Sequence, residues 1–398
     1  MKQQKGFSLL ELMVSMGIVV TVVGIATTAL LQAEKATTAV AYEANTQQNL
    51  RAGMHFMVRD LAQAGEGIPQ GGIAIPFTAT SNINRPGTGT IFPNTYTTMP
   101  AITPGFQLGQ LATSLNPTTG AVLTGVNTDV INILYADNIL VDTPALNHFL
   151  YSFPISQALP ATPPCNNGAA AVISPTGAFV TLDPACFQMP GTTNPITVGN
   201  LIMFHNQNGT ALEYVTGVTG QTILFAKGDP AGLNQTGEPS GTVANLATTP
   251  GVFPPTTITR VWMVSYYVDA TNPQDPQLIR QVNYPGYPVA APVNPPQAIA
   301  DPIENLAFSY AIDSSTAPAG AYLVTPFTNG AGNASQPIAP DTPAQIRAVN
   351  VFLAGRSEQV YEALSSPQYL RNNLSTQVSI RSLSFTNQFN TAASATAP

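Results

Sequence analysis

Few residues in this chain have the type and setting to do chemistry, and the most informative stands near its start. Glu11 is the only charge between Phe7 and about Leu31, in a run that is otherwise almost wholly apolar and follows a short basic leader, Met1-Lys2-Gln3-Gln4-Lys5-Gly6. The run is about as long as a bilayer-spanning helix needs. A carboxylate inside such a helix costs about 2.5–3.5 kcal/mol on insertion scales, so it calls for a partner. A secretory signal fits poorly, because its apolar core is shorter and ends in small residues at a cleavage site. A plain signal-anchor explains the span and the two lysines by the positive-inside rule, yet leaves Glu11 without a role.

Gly6, Phe7 and Glu11, with the leader charge and the span behind them, resemble the N-terminus of type IV prepilins and of the related pseudopilins of type II secretion. The resemblance implies that a membrane aspartyl peptidase cuts after Gly6 and methylates the new N-terminal Phe7. Glu11 becomes the fifth mature residue, about one helical turn from the freed α-amine. Glu11 of one subunit would then pair with the Phe7 amine of its neighbour. The alternative for Glu11 is an interfacial residue snorkelling to headgroups. Gly17 and Gly24, seven residues apart, suit close helix packing or are incidental in a spanning helix.

Other chemical groups are sparse. Cys165 and Cys186 lie in one Pro/Gly/Ala-rich stretch. In an oxidising periplasm they would close a disulfide loop of about 22 residues, contributing about 3 kcal/mol in the chain-entropy view; two unpaired thiols are the other reading. His55, His148 and His205 have no metal-ligand spacing, so no metal and no cofactor is expected. Asp301 and Glu304 read as a solvated loop and strand edge rather than an acid pair. The segment from Asp269 to Asp275 loosely resembles a calcium loop but lacks the central glycine and terminal glutamate, and Asx-turn chemistry explains it more simply. The chain shows no nucleophile elbow, His-Glu-x-x-His, Walker loop or dinucleotide fingerprint. The expectation is a protein that is not an enzyme.

The elements that carry these groups follow from pattern and punctuation. No proline precedes Pro69, and apolar residues recur at Val40, Leu50, Met54, Met57, Val58 and Leu61. One helix from Phe7 to about Ala64 is expected, about 85–90 Å long, its first half in lipid and its second half striped for a head. Gly65, Gly67 and Pro69 would stop it, and Gly53 weakens its middle. Arg59 and Asp60 either contact the head or face water. With 36 prolines, 31 glycines and only 8% charged residues, the rest reads as an exported, loop-rich β structure. The formal charge of −7 gives no basic groove for nucleic acid. Short strands are expected around 73–77 and 106–111. Clearer strands are expected at 129–136, 178–182, 200–205, 211–218, 221–226, 257–268, 277–283, 303–312, 346–355 and 376–385. Turn signals at 206–209 and 219–220 would join three of them into a meander. A polar tail from Asn387 to Pro398 closes the chain. Trp262, Tyr266, Tyr267, Phe308 and Tyr310 read as core and cross-strand pairs.

Arg59-Asp60-Leu61-Ala62-Gln63-Ala64-Gly65, Thr128-Asp129-Val130-Ile131, Val264-Ser265-Tyr266-Tyr267-Val268, Ile303-Glu304-Asn305-Leu306, Ile346-Arg347-Ala348-Val349-Asn350-Val351 and Val378-Ser379-Ile380-Arg381-Ser382-Leu383 are similar, in order, to blocks of the PilW class of minor pilins. Gln63 departs from that class, which usually has arginine there. The resemblance implies an α+β fold, a long N-terminal helix with a membrane-embedded first half and a large antiparallel β-rich pilin-like head. The implied organisation is a leader at 1–6, a span at 7–31, a periplasmic helix half at 32–66 and a head at 67–398. It implies an inner-membrane precursor with a periplasmic head, later a low-copy pilus subunit at or near the tip that helps prime assembly. Its partners would be other pilins, major and minor, the prepilin peptidase and the assembly platform. A type II secretion pseudopilin and a tip adhesin for a surface or glycan are the alternatives.

Overall fold

Helix α1 runs from Leu9 to Gln63, 55 residues without a break and about 80 Å long. The structure, a computed structural model, describes residues 8–77, 82–87, 89–93, 96–110, 114–115, 122–123, 127–137, 153–155, 172–181, 196–220, 222–235, 238, 240–249, 252–254, 256–284, 295–313, 323–324, 342–361 and 368–384. The helix ends where expected, because Gly65 and Gly67 take left-handed φ values of 77° and 68°. Its buried positions are Thr46, Leu50, Gly53, Met54, Met57, Asp60 and Leu61, spaced three and four apart on one face. Val40, which the periodicity places on that stripe, is exposed, while Thr38, Ala39 and Tyr42 near it are partly covered.

The head is built on two antiparallel sheets. The first contains β1 (Ile102–Gly105), β2 (Val130–Ala136), β3 (Leu201–Asn206), β4 (Gly209–Tyr214), β5 (Thr256–Asp269), β6 (Gln277–Val282) and β7 (Gln297–Ala300). The 14-residue β5 is its spine: successive stretches pair with β3, β2 and β6. The second sheet is centred on β8 (Ile303–Ile312), β9 (Ile346–Arg356) and β10 (Arg371–Ser379). One core forms where α1 meets both sheets. Leu50, Met54, Met57 and Leu61 pack with Ile131, Tyr266, Leu278, Phe308, Leu353 and Val378 among others. Each such side chain stabilises the joint by about 1.5–3 kcal/mol.

The first sheet is buried on both faces. Ile202 and Phe204 point into a second core, while Leu201 and Met203 point into a third, formed with Ile73, Ile75, Ile83, Phe92 and Met99. Alternation along β3 therefore reads as a continuous apolar run. Of the expected aromatic core residues, Tyr266, Tyr267, Phe308 and Tyr310 are buried, while Trp262 is half-buried with the Arg260 guanidinium 5.0 Å from its ring.

Three strand expectations need correction. The strand placed around 106–111 lies earlier, at β1, where Pro104 is tolerated because β1 pairs only with β2. The meander breaks after β4. Gly217–Thr219 and Thr222–Leu224 form a hairpin in a separate small sheet with Phe179–Thr181 and Val172–Ile173. The chain leaves the first sheet at Thr216, whose hydroxyl donates to Leu224 O (3.0 Å) and accepts from Ala226 N (2.7 Å). The last strand starts at Arg371 rather than 376, and Arg381–Ser384 turns into a short helix, α2. Leu383 of α2 joins the first core, and the Ser382 hydroxyl donates to the carbonyl of Ala64 at the end of α1.

Candidate functional site

The helix start is set by a side chain that the sequence expectations left out. Ser8 is the N-cap: its Oγ accepts from Glu11 N (3.2 Å), and Glu11 Oε2 accepts from Ser8 N (3.1 Å). This reciprocal pair is a capping box, whose signal is Ser-x-x-Glu ahead of an apolar run. In the single chain Glu11 therefore already holds a local partner. Gly6 and Phe7 lie outside the described residues, as do Cys165 and Cys186.

Beyond the cap the helix is unaccompanied. Leu9, Met16 and Ile25 are 79%, 66% and 70% exposed, and α1 is long and apolar enough to cross a membrane. The hydroxyls of Ser15, Thr21, Thr27 and Thr28 donate to carbonyls three or four residues back, at 2.8–3.2 Å. They thus bring little desolvation cost to an apolar setting. A Cβ on Gly17 or Gly24 would meet nothing within 4 Å, so both positions are open in the single chain.

At its other end α1 is locked to the head by polar as well as apolar contacts. Tyr266 and Arg280 are direct cross-strand partners on β5 and β6. The Tyr266 hydroxyl donates to Asp60 Oδ2 (2.5 Å), and Arg280 Nε donates to the same oxygen (2.7 Å). Burial and the adjacent Asp60 charge raise the Tyr266 pKa, keeping the phenol a donor. Burial works against the Arg280 charge, but the hydrogen bond and charge of Asp60 carry its pKa above the ordinary value. Asp60 thus contacts the head, while Arg59 is exposed. Gly53 has a packing role as well. A Cβ there would lie 2.9 Å from Leu278 Cδ2 and 3.2 Å from Ala300 Cβ, so its absence lets α1 approach β6 and β7.

Glu304 is not a solvated strand edge. It is buried between two arginines, with Arg371 Nε at 2.7 Å and Arg356 Nη1 at 3.2 Å, whereas Asp301 is exposed. Arg356 also donates to the carbonyls of Pro273 (2.8 Å) and Gln274 (2.9 Å) in the 269–275 segment. A guanidinium thus holds carbonyls that a calcium loop would offer to the ion. Asp269 and Asn272 form Asx turns through Thr271 N (2.9 Å) and Gln274 N (3.2 Å). Among the described residues no group of three His, Cys, Asp or Glu side chains is placed to hold a metal ion.

Three further carboxylates are buried with raised pKa values, and each bonds backbone amides. Burial pushes Asp129 up to about 7 against hydrogen bonds from Gln107 N and Phe308 N, both 2.9 Å. Burial also raises Glu213, which accepts from Val243 N (3.3 Å), and Asp229, which accepts from Leu233 N and Asn234 N (both 3.0 Å). These groups fix loops to strands. Arg85 is buried as well: it donates to Asn132 Oδ1 (2.8 Å) and Pro104 O (2.9 Å), and burial lowers its pKa to about 10.

Comparison with known proteins places the recognisable signal at the same end of the chain as the open helix. Residues 1–27 match the prokaryotic N-terminal methylation motif. No curated protein and no solved structure matches the chain.

Proposed function

We propose that this chain is a minor type IV pilin, cut after Gly6, methylated on Phe7 and built into a pilus-like filament, at or near its tip, where it helps prime assembly. The observation that carries this reading is one helix with two fates. Its first half, which begins inside the matched 1–27 motif, displays apolar side chains to its surroundings, and its last turns are built into a large β head. The proposed organisation is a leader at 1–6, a span at 7–31, a periplasmic helix half at 32–66 and a head at 67–398. Lys2 and Lys5 would keep the leader on the cytoplasmic side. The partners would be other pilins, the prepilin peptidase and the assembly platform of the inner membrane.

Glu11 supplies the coupling. Before the cut its carboxylate caps the helix through Ser8 N. Cleavage frees an ammonium on Phe7, and in the filament the carboxylate of one subunit would take the ammonium of the next, neutralising two charges among apolar helices. Truncating one member of such a pair costs about 3–5 kcal/mol, because the other charge is stranded. Gly6→Ala should leave the precursor uncut and absent from sheared filaments. Glu11→Ala should give a mature-sized product that fails to enter filaments. Normal incorporation of both variants would end this reading.

The N-terminal motif suits a type II secretion pseudopilin equally well. Gene context and the filament type lost on deletion separate the two. For a tip adhesin, binding of the head to arrayed glycans is the corresponding test.

A further inference from the structure

The loop after β9 leaves the head and descends along α1. Tyr42 OH donates to Gln359 Oε1 (3.0 Å), and Tyr361 OH donates to Lys35 O (3.1 Å). The contacts step seven helix residues toward the N-terminus, about 10 Å along the axis. The segment is held from within: the Ser357 hydroxyl donates to Gln359 O (2.6 Å) and accepts from Leu370 N (3.1 Å). Between the two helix contacts stands Val360, 37% exposed.

Lys35 lies four residues beyond Leu31, the last residue of the apolar run, which is about 6 Å. The polar layer on each side of a bilayer's hydrocarbon core is about 5–8 Å deep. With α1 inserted to Leu31, Tyr361 falls within that layer and Val360 next to it. Tyrosine is favoured there, since its ring is apolar and its tip is polar. Glu34 and Lys35 of α1 offset each other in charge, and Glu358 precedes both helix-contacting residues, Gln359 and Tyr361, in the segment.

We propose that Ser357–Tyr361 is a second membrane contact, laying Tyr361 in the headgroup layer of the bilayer that α1 enters, with Val360 at the edge of that layer. The head is then held at a fixed height above the lipid by a strap as well as by the helix. Release of the subunit from the membrane must detach both. The inference rests on α1 being membrane-inserted, and its test reports on that separately.

The test uses full-length protein in phosphatidylcholine–phosphatidylglycerol vesicles, with Trp262→Phe removing the one native tryptophan. Single probes are introduced by Val19→Trp in the apolar run, Val360→Trp in the strap and Val252→Trp, next in the chain to Phe253 of the second core, to which α1 contributes no residue. The Val360→Trp probe should show blue-shifted emission, quenched by lipids brominated near the headgroup more than by lipids brominated at the chain ends. The Val19→Trp probe should show the opposite preference, and the Val252→Trp probe should be quenched by neither. Unquenched Val360→Trp beside quenched Val19→Trp overturns the strap and leaves the anchored helix standing; the segment would then be free to meet a neighbouring subunit instead. Unquenched Val19→Trp overturns membrane insertion itself, and the strap with it. Equal quenching of Val360→Trp and Val252→Trp overturns the specific contact, because the whole head would then lie on lipid.

Discussion

Asp60 and Arg280, 220 residues apart in sequence, meet with Nε and Oδ2 2.7 Å apart at the joint between helix and sheet. The carboxylate comes from the last turn of α1, and the guanidinium comes from β6 beside Tyr266. Asp60 Oδ2 is shared with the Tyr266 hydroxyl, so the last turn of α1 is tied to two adjacent strands of the first sheet as well as packed on it.

Asp60→Ala should therefore destabilise the full chain by about 3 kcal/mol. That is the lower end of the range for breaking a buried pair, because the Arg280 side chain keeps 19% exposure. Urea unfolding in detergent, followed by near-UV circular dichroism, reads the loss. Asp60→Ala combined with Arg280→Met should cost less than the sum of the two single changes, since no charge is then left stranded.

Gly53→Val should cost about 1–3 kcal/mol through overpacking against Leu278 and Ala300. Valine has the better helix propensity, so an isolated peptide of this segment should gain helicity from the same substitution. Opposite signs in the peptide and in the whole protein would place the cost in the joint.

Arg356→Met should cost about 1.5–3 kcal/mol, since Glu304 retains Arg371 while the carbonyls of Pro273 and Gln274 lose their donor. Limited proteolysis should then cut the 269–275 segment sooner than in the parent. Calcium or a chelator should leave the parent's unfolding midpoint unchanged, because the guanidinium already serves those carbonyls.

The head should gain stability as pH falls from 8 to about 6. Asp129 has a folded pKa of about 7 against an ordinary 3.8, so between these values the folded chain keeps a proton that the unfolded chain has lost. Its contribution is fully present below about 3.8 and is lost as pH rises through 7. Glu213 and Asp229 shift in the same direction, also through burial. Urea midpoints across this range measure the slope, and Asp129→Asn should flatten it. A slope of opposite sign would contradict the assignment.

Much of the fold was legible because it is written locally. The helix stop at Gly65 and Gly67, the strands β2, β5, β6, β8 and β9, and the hairpin between β3 and β4 each rest on a period or a turn signal within a few residues. The capping box of Ser8 and Glu11 is equally local, a spacing of three residues at the head of the apolar run. β10 was misplaced because its first residues, Arg371-Asn372-Asn373, are polar, and their strand character comes from pairing with Arg356, Gly355 and Ala354. Glu304 looked solvated because nothing nearby in sequence announces the two arginines that enclose it.

The sequence by itself determined the apolar rod, its lone acid, the motif ahead of it and the β-rich nature of the remaining chain, since periodicity and composition act over a few residues. Tertiary structure alone decided that Asp60 rather than Arg59 faces the head, that Gly53 is a point of close approach, and that the Ser357–Tyr361 segment climbs down the helix to Lys35. Those outcomes depend on which distant surfaces meet. Burial in the resulting interface then sets the cost of every charge and every missing methyl group within it.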